Sequence, residues 1–246
     1  MELEAIQGEP PAQNIAPEEI YQKTKSISME NVAFSYGRDQ TLQGASFALP
    51  AGAFAVITGP SGMGKSTLLK LLLGIFRPQQ GGVYFETSDG MVPIDRSSRH
   101  MFSYVPQGNL LFSGTLRENL MLVKPDATEA ELDQAIYVSA MEDFLPQLPL
   151  GLDTQLGESG AGLSEGQGQR LAIARAILAG APVLLLDECT SALDEATEQK
   201  VLQRIRELPG RTCIAVTHRP AAIAMCDWRL ELSDGKICAV CTAVEQ

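Results

Sequence analysis

The segment Gly59-Pro60-Ser61-Gly62-Met63-Gly64-Lys65-Ser66-Thr67 constrains this chain more than any other feature. It follows the pattern G-x-x-x-x-G-K-[ST]. An apolar run, Ala53 to Ile57, precedes it and a helical stretch, Leu68 to Ile75, follows. The context is strand, glycine-rich loop, helix, which is what the pattern needs. Successive backbone N–H groups of such a loop point into one concavity, and the helix N-terminus adds its positive dipole end. Glycines at 59, 62 and 64 let the backbone approach phosphate and take positive φ. Lys65 can reach the β- and γ-phosphates of a nucleotide, and the Ser66 hydroxyl can ligate Mg²⁺.

Farther along, Val183-Leu184-Leu185-Leu186 is a continuous apolar run, as expected of a parallel strand buried on both faces. It ends in Asp187-Glu188. Two acids at the end of a buried strand are costly without partners. Mg²⁺ and an attacking water would supply them. Asp187 suits the inner or outer shell of the metal, and Glu188 suits general-base or water-orienting work. The alternative for the pair alone is a solvated loop start; the upstream phosphate loop favours the first reading.

A chain of 246 residues, 45% hydrophobic, can bury one substantial core with lobes. The formal net charge of −11 argues against a nucleic-acid partner, which needs clustered Lys and Arg. It does not argue against a nucleotide, which the loop holds with local N–H groups and one lysine. Five cysteines, an odd number in a chain that is not cysteine-dense, point to a reduced compartment. Cys238 and Cys241 form a C-x-x-C in a terminal strand, Lys236 to Val240, with no second pair to complete a zinc site; they are expected to be buried or half-buried thiols. The acidic start, Met1-Glu2-Leu3-Glu4, does not read as a signal peptide, and none is expected from it. The longest apolar stretch, Leu171 to Leu186, is interrupted by Arg175, Gly180 and Pro182, so no transmembrane helix is expected. A cut-out domain or a separate subunit is expected.

Along the chain, residues 1–26 carry Pro10, Pro11 and Pro17 among acids and read as a linker or tail. A strand-rich lobe begins at Ile27, with turn signals at Pro50-Ala51-Gly52 and Ser88-Asp89-Gly90. Residues from about 108 to 170 form an inserted helical region. Thr128-Glu129-Ala130-Glu131 is a capping box, followed by Leu132, Ala135, Ile136, Ser139 and Ala140 at helical spacing. Thr197 to Leu208 reads as an amphipathic helix, and Thr212 to Thr217 as a strand carrying His218 at its C-terminal end, where parallel sheets bind ligands.

Between the two acid- and phosphate-linked motifs stands Leu163-Ser164-Glu165-Gly166-Gln167. With it the chain resembles the ATP-binding cassette (ABC) family, whose signature usually reads LSGGQ; Glu165 departs from that pattern. Other family elements occur in order: Tyr36 in Phe34-Ser35-Tyr36-Gly37, Gln107 in Tyr104-Val105-Pro106-Gln107, Asp194 in Ser191-Ala192-Leu193-Asp194, and His218 in Val216-Thr217-His218-Arg219. The resemblance implies an α/β fold: a phosphate-loop NTPase core with an antiparallel β lobe and an inserted α-helical subdomain, over 27–246. It implies ATP and Mg²⁺ as cofactors. By resemblance, Tyr36 stacks on adenine, and Gly59 to Thr67 cradle the phosphates, Pro60, Ser61 and Met63 included. Ser66, Gln107 and Asp187 serve the metal. Lys65, Gln107, Glu188 and His218 carry catalysis. Ser164, Gly166, Gln167 and Asp194 meet the nucleotide of a second cassette packed head to tail.

Two further stretches resemble exporters in particular: Gln107 to Asn119, similar to "LFSGTIREN", and Leu156-Gly157-Glu158-Ser159-Gly160, similar to a loop that touches the membrane domain. The expectation is the ATPase domain of an ABC exporter, at the cytoplasmic face of a membrane, partnered by a transmembrane domain. A separate ATPase subunit of an importer is the alternative. A soluble ABC protein acting on DNA or ribosomes is a third; the stretch between Lys65 and Leu163 has no sustained heptads to support it.

Overall fold

In the computed structural model, which describes residues 17–241 apart from 38, 109–110 and 158–161, helix α1 (Pro17–Lys23) runs straight into strand β1 (Thr24–Tyr36). The reading of 1–26 as linker or tail is corrected from Pro17 onward. Ile20 and Tyr21 pack on the core, and the Tyr21 hydroxyl meets Thr212 Oγ1 at 2.5 Å. Two apolar residues in one short helix give too little periodicity to stand out among prolines and acids.

β2 (Asp39–Pro50) returns antiparallel to β1, with Met29 opposite Phe47 and Ile27 opposite Leu49. β3 (Phe54–Thr58) is buried at every residue, and after the glycine-rich loop comes α2 (Lys65–Leu72). This helix begins at Lys65, earlier than Leu68, because the loop closes directly into its first turn. β4 (Gln80–Thr87) and β5 (Gly90–Pro93) complete a four-stranded antiparallel lobe, order β2-β1-β4-β5. A 3-10 turn, Arg96–Met101, capped by Asp95, then feeds β6 (Phe102–Val105).

The inserted region holds β7 (Gly114–Thr115), α3 (Leu116–Met121), α4 (Glu129–Val138), β8 (Gln155–Leu156) and α5 (Glu165–Leu178). All three helices start with a capping box: Thr115 with Glu118, Thr128 with Glu131, Ser164 with Gln167. Each box satisfies two backbone donors that a helix start would leave bare. Leu132, Ala135, Ser139 and Ala140 are buried, as their spacing required.

β9 (Val183–Asp187), α6 (Glu195–Arg206), β10 (Thr212–Val216), α7 (Pro220–Met225), β11 (Trp228–Ser233) and β12 (Lys236–Cys241) finish the chain. α6 starts before Thr197 because the Asp194 carboxylate caps it, accepting from Thr197 N. The central sheet has the order β12-β11-β3-β10-β9-β6, parallel except for the β11–β12 hairpin.

Successive residues of a strand face opposite sides, so this sheet has two cores. Val56, Leu184, Leu186 and Ala215 face one core with α3, α4, α5 and α6. Ile57, Val183, Leu185 and Val216 face the other, with α2 and the antiparallel lobe. Double burial explains the unbroken apolar runs of β3, β9 and β10. Cys189, Cys213 and Cys226 are buried, but Cys238 is exposed on edge strand β12, a correction to the buried or half-buried expectation. An edge strand has a neighbouring strand on only one side, so its side chains are less enclosed.

Candidate nucleotide site

β3, β10 and β9 are parallel neighbours, with Cys213 opposite both Phe54 and Leu184. Their carboxyl ends therefore lie side by side. The glycine-rich loop leaves β3, His218 lies just past β10, and Asp187-Glu188 closes β9. Three distant motifs meet because the strands before them are in register. Backbone bonds fix the alignment: Glu188 N donates to Val216 O at 2.9 Å and Thr217 N to Ile57 O at 3.4 Å.

In the loop, Gly59, Gly62 and Gly64 all have positive φ, at 143°, 78° and 98°. At Gly59 a Cβ would also lie 2.3 Å from Leu232 O of β11, and at Gly64 2.5 Å from Thr41 Cγ2. Conformation asks for glycine at both positions, and at Gly59 the rigid backbone carbonyl leaves no space for a side chain either. Lys65 is buried, and its ammonium donates to Gly59 O and Pro60 O, each at 2.9 Å. A cation is thus stationed inside the loop. Ser61 is exposed, Met63 packs at the edge of the second core, and Ser66 is half-buried. Thr67 Oγ1 lies 3.2 Å from the Tyr36 hydroxyl. Tyr36, 45% exposed, stands edge-on to Phe34 at 5.0 Å and to Phe76 at 5.5 Å. These rings hold it beside the loop.

The acids form a second group. Asp187 is 3% exposed and accepts from the Tyr104 hydroxyl at 3.1 Å. Burial, with the Asp187 charge, pushes the Tyr104 phenol above its ordinary range, so the hydroxyl stays protonated and donates. Among the described residues no ion pair neutralises Asp187. A buried carboxylate with one neutral donor keeps a hard oxygen free, which is the kind of ligand Mg²⁺ takes. Glu188 Oε2 accepts from Gln107 Nε2 at 2.8 Å, and His218 Nε2 is 4.0 Å from Glu188 Oε1. Glu188 has φ 49°, a left-handed conformation that costs a non-glycine residue roughly 1–2 kcal/mol. Such strain is found where a side chain must be aimed.

The third group sits at the start of α5. Ser164 Oγ accepts from Gln167 N at 3.2 Å, and Gln167 Oε1 accepts from Ser164 N at 2.9 Å. Glu165 is exposed in the first turn. A Cβ on Gly166 would lie 2.9 Å from Ala192 O, so only glycine lets this helix start approach the Ser191–Asp194 loop so closely. Hydrogen bonds to Thr197 hold the Asp194 carboxyl below its ordinary range. The side chains of Ser164 and Gln167 bond to each other's backbone and not to the phosphate loop. Glu158, Ser159 and Gly160 of the second exporter-like stretch, with Asn109 and Leu110 of the first, lie outside the described residues.

Sequence reasoning passed over several residues that tie these groups together. Gln169, buried in α5, donates to Ser191 Oγ at 2.9 Å and accepts from Ala192 N at 3.0 Å. Glu198, buried on α6, accepts from Thr190 Oγ1 at 2.8 Å and from Arg219 Nε at 2.9 Å, while Arg219 also donates to Leu193 O. Tyr104 is the third. The available signal was a polar side chain on an apolar face: Gln169 precedes the Leu171–Ala174–Ile177 stripe, and Glu198 precedes Val201–Leu202–Ile205. Cys189, beside Glu188, is an inert thiol, pushed up to about 12 by burial.

A parallel sheet with a phosphate loop and an acid pair at its carboxyl edge defines a nucleotide-binding domain. The pattern of the family described as ABC transporter matches residues 42–191, and the chain belongs to that family. It has the ABC ATPase fold, an α/β core with an antiparallel lobe and a helical insert. It is 41% identical over 214 residues to the "ATM1-type heavy metal exporter" of Novosphingobium aromaticivorans, covering 86% of this chain and 35% of the relative. Against the "Mycobactin import ATP-binding/permease protein IrtB" of Mycobacterium bovis the identity is 40% over 214 residues, covering 86% and 37%. A solved structure described as a bacterial Atm1-family ABC exporter with ATP bound superposes with a TM-score of 0.80 at 39% identity, covering 87% of this chain and 38% of that one. The chain spans somewhat over a third of the length of the curated relatives it matches. Among the described residues no helix is long and apolar enough to cross a membrane.

Proposed function

We propose that this chain binds and hydrolyses ATP as the nucleotide-binding domain of an ABC exporter. The observation that carries the reading is Glu188, strained, held by Gln107 and placed beside the phosphate-loop edge of the sheet. Bound Mg²⁺, held by Ser66, Asp187 and Gln107, would neutralise charge on the β- and γ-phosphates. Phosphoryl transfer needs positioning and charge stabilisation more than covalent chemistry. Lys65 exchanges the carbonyls of Gly59 and Pro60 for phosphate oxygens. Backbone N–H groups of residues 60–67 hold the phosphate chain, with glycine conformations already set. Glu188 polarises the attacking water, and His218 contacts the γ-phosphate. The test is direct: the purified chain should hydrolyse ATP when Mg²⁺ is added, and Lys65→Ala should abolish it. Hydrolysis that survives Lys65→Ala would refute the assignment.

Tyr36 stacks on adenine in this reading. Stacking on a base is worth roughly 1–3 kcal/mol. Tyr36→Ala should therefore weaken ATP binding about tenfold or more, and Tyr36→Trp should preserve it. Unchanged affinity in the alanine variant, by titration calorimetry, would leave Tyr36 as packing for Phe34 and Phe76.

Two cassettes pack head to tail, each offering Ser164, Gly166, Gln167 and the Asp194 loop to the other's nucleotide. The second chain is identical or different. The membrane partner docks on an open groove of about 230 Å³ lined by Phe102, Pro106, Val123, Ala172 and Arg175. Phe112 and Leu122 are exposed nearby in sequence, within or just after the exporter-like stretch. The domain works at the cytoplasmic face of the membrane, without nucleic acid. Export is favoured by that stretch and by the exporter relatives. A separate importer subunit is less supported: the relative named for mycobactin import is itself a combined ATP-binding and permease protein.

A further inference from the structure

β6 runs beside β9 in parallel register, with Tyr104 opposite Leu185 and Val105 opposite Leu186. From there the Tyr104 hydroxyl reaches the last residue of β9 and donates to Asp187 Oδ2 at 3.1 Å. Three positions on, Gln107 Nε2 donates to Glu188 Oε2 at 2.8 Å. One short segment therefore grips both acids in turn. Gln107 is the expected member of this pair; Tyr104 has no assigned part.

We propose that Tyr104 is a positioning residue whose hydroxyl fixes the Asp187 carboxylate, so that the oxygen it does not bond, Oδ1, is presented to Mg²⁺. The proposal rests on the nucleotide reading above. Asp187 is 3% exposed, so water offers little substitute for the lost donor. Tyr104 is itself held: with Phe102, Val105 and Pro106 it lines the groove between β6 and α5. Its ring is half-buried and packs against the second core, which holds the hydroxyl toward Asp187. Partners that hold a ligating carboxylate in orientation typically change metal affinity by about 10–100-fold when removed.

The test uses the full chain, a non-hydrolysable ATP analogue, and Tyr104→Phe beside Tyr104→Leu. Phenylalanine keeps the ring and removes the donor; leucine removes both. Binding is titrated by calorimetry in EDTA and across a series of Mg²⁺ concentrations. In EDTA, wild type and Tyr104→Phe should bind alike, which also reports that the variant is folded. The Mg²⁺ concentration giving half of the metal-dependent tightening should rise roughly tenfold in Tyr104→Phe. Matching Mg²⁺ curves for wild type and Tyr104→Phe, with a shift only in Tyr104→Leu, would make Tyr104 simple packing and overturn the proposal. A wild-type chain that binds no nucleotide in either condition overturns the nucleotide reading first, and is a distinct outcome.

Discussion

Glu188→Gln is expected to keep ATP binding and to lose hydrolysis by roughly 10²–10⁴-fold, the usual contribution of a positioned general base. The substitution preserves size and leaves the phosphate loop untouched. It removes the one property the role demands, a carboxylate able to accept a proton or draw one from water. Gln107 Nε2 can still donate to the remaining oxygen, so the local hydrogen bond at 2.8 Å need not break. The backbone at φ 49° is equally strained in both proteins, so stability should change little. With hydrolysis removed, an ATP-bound dimer should accumulate. Gel filtration with ATP would show it as a shift to twice the monomer mass. Near wild-type turnover under saturating ATP would remove Glu188 from its role.

The second large effect is on folding. Arg219→Ala strips Glu198 of its charge partner, leaving a buried carboxylate with the Thr190 hydroxyl alone. Breaking a buried pair in this way costs about 3–5 kcal/mol. The Glu198 side chain is 2% exposed but that of Arg219 is 34%, so the lower end applies, about 3 kcal/mol. For a domain of this size that corresponds to a fall in Tm of roughly 6–12 °C. Glu198→Gln added to Arg219→Ala should restore part of the loss, because it removes the stranded charge. A melt within about 2 °C of wild type would show that the pair is replaceable by water. The same arginine holds Leu193 O in the loop that ends at Asp194, so ATP-driven dimerisation should weaken as well.

How far these features were legible in the sequence depends on which forces set them. The phosphate loop could be read because its flanks and glycines are local requirements; their positive φ values follow from the same spacing. The apolar run of β9 announced double burial, and Thr128-Glu131 announced a helix start. Side-chain pairing was not local. Tyr104 meets Asp187 only because β6 neighbours β9, a register that no short pattern encodes. Arg219 follows the recognised His218, yet its partner Glu198 lies on another helix. The helix Pro17–Lys23 was hidden for a different reason: it is too short to develop a period, and it is held by Tyr21 reaching across to Thr212.

The cap at the start of α5 has one more consequence. The Ser164 oxygen accepts the Gln167 N–H, and accepting leaves the hydroxyl's own hydrogen unspent. The cap thus works as a swivel pin: it immobilises the oxygen and confines the hydrogen to directions away from the helix. Asp would secure the same helix end about as well, but at neutral pH it has no hydrogen to give and brings a negative charge. Where a phosphate approaches this helix start, the choice among good caps is therefore a choice between handing over a hydrogen and turning the visitor away.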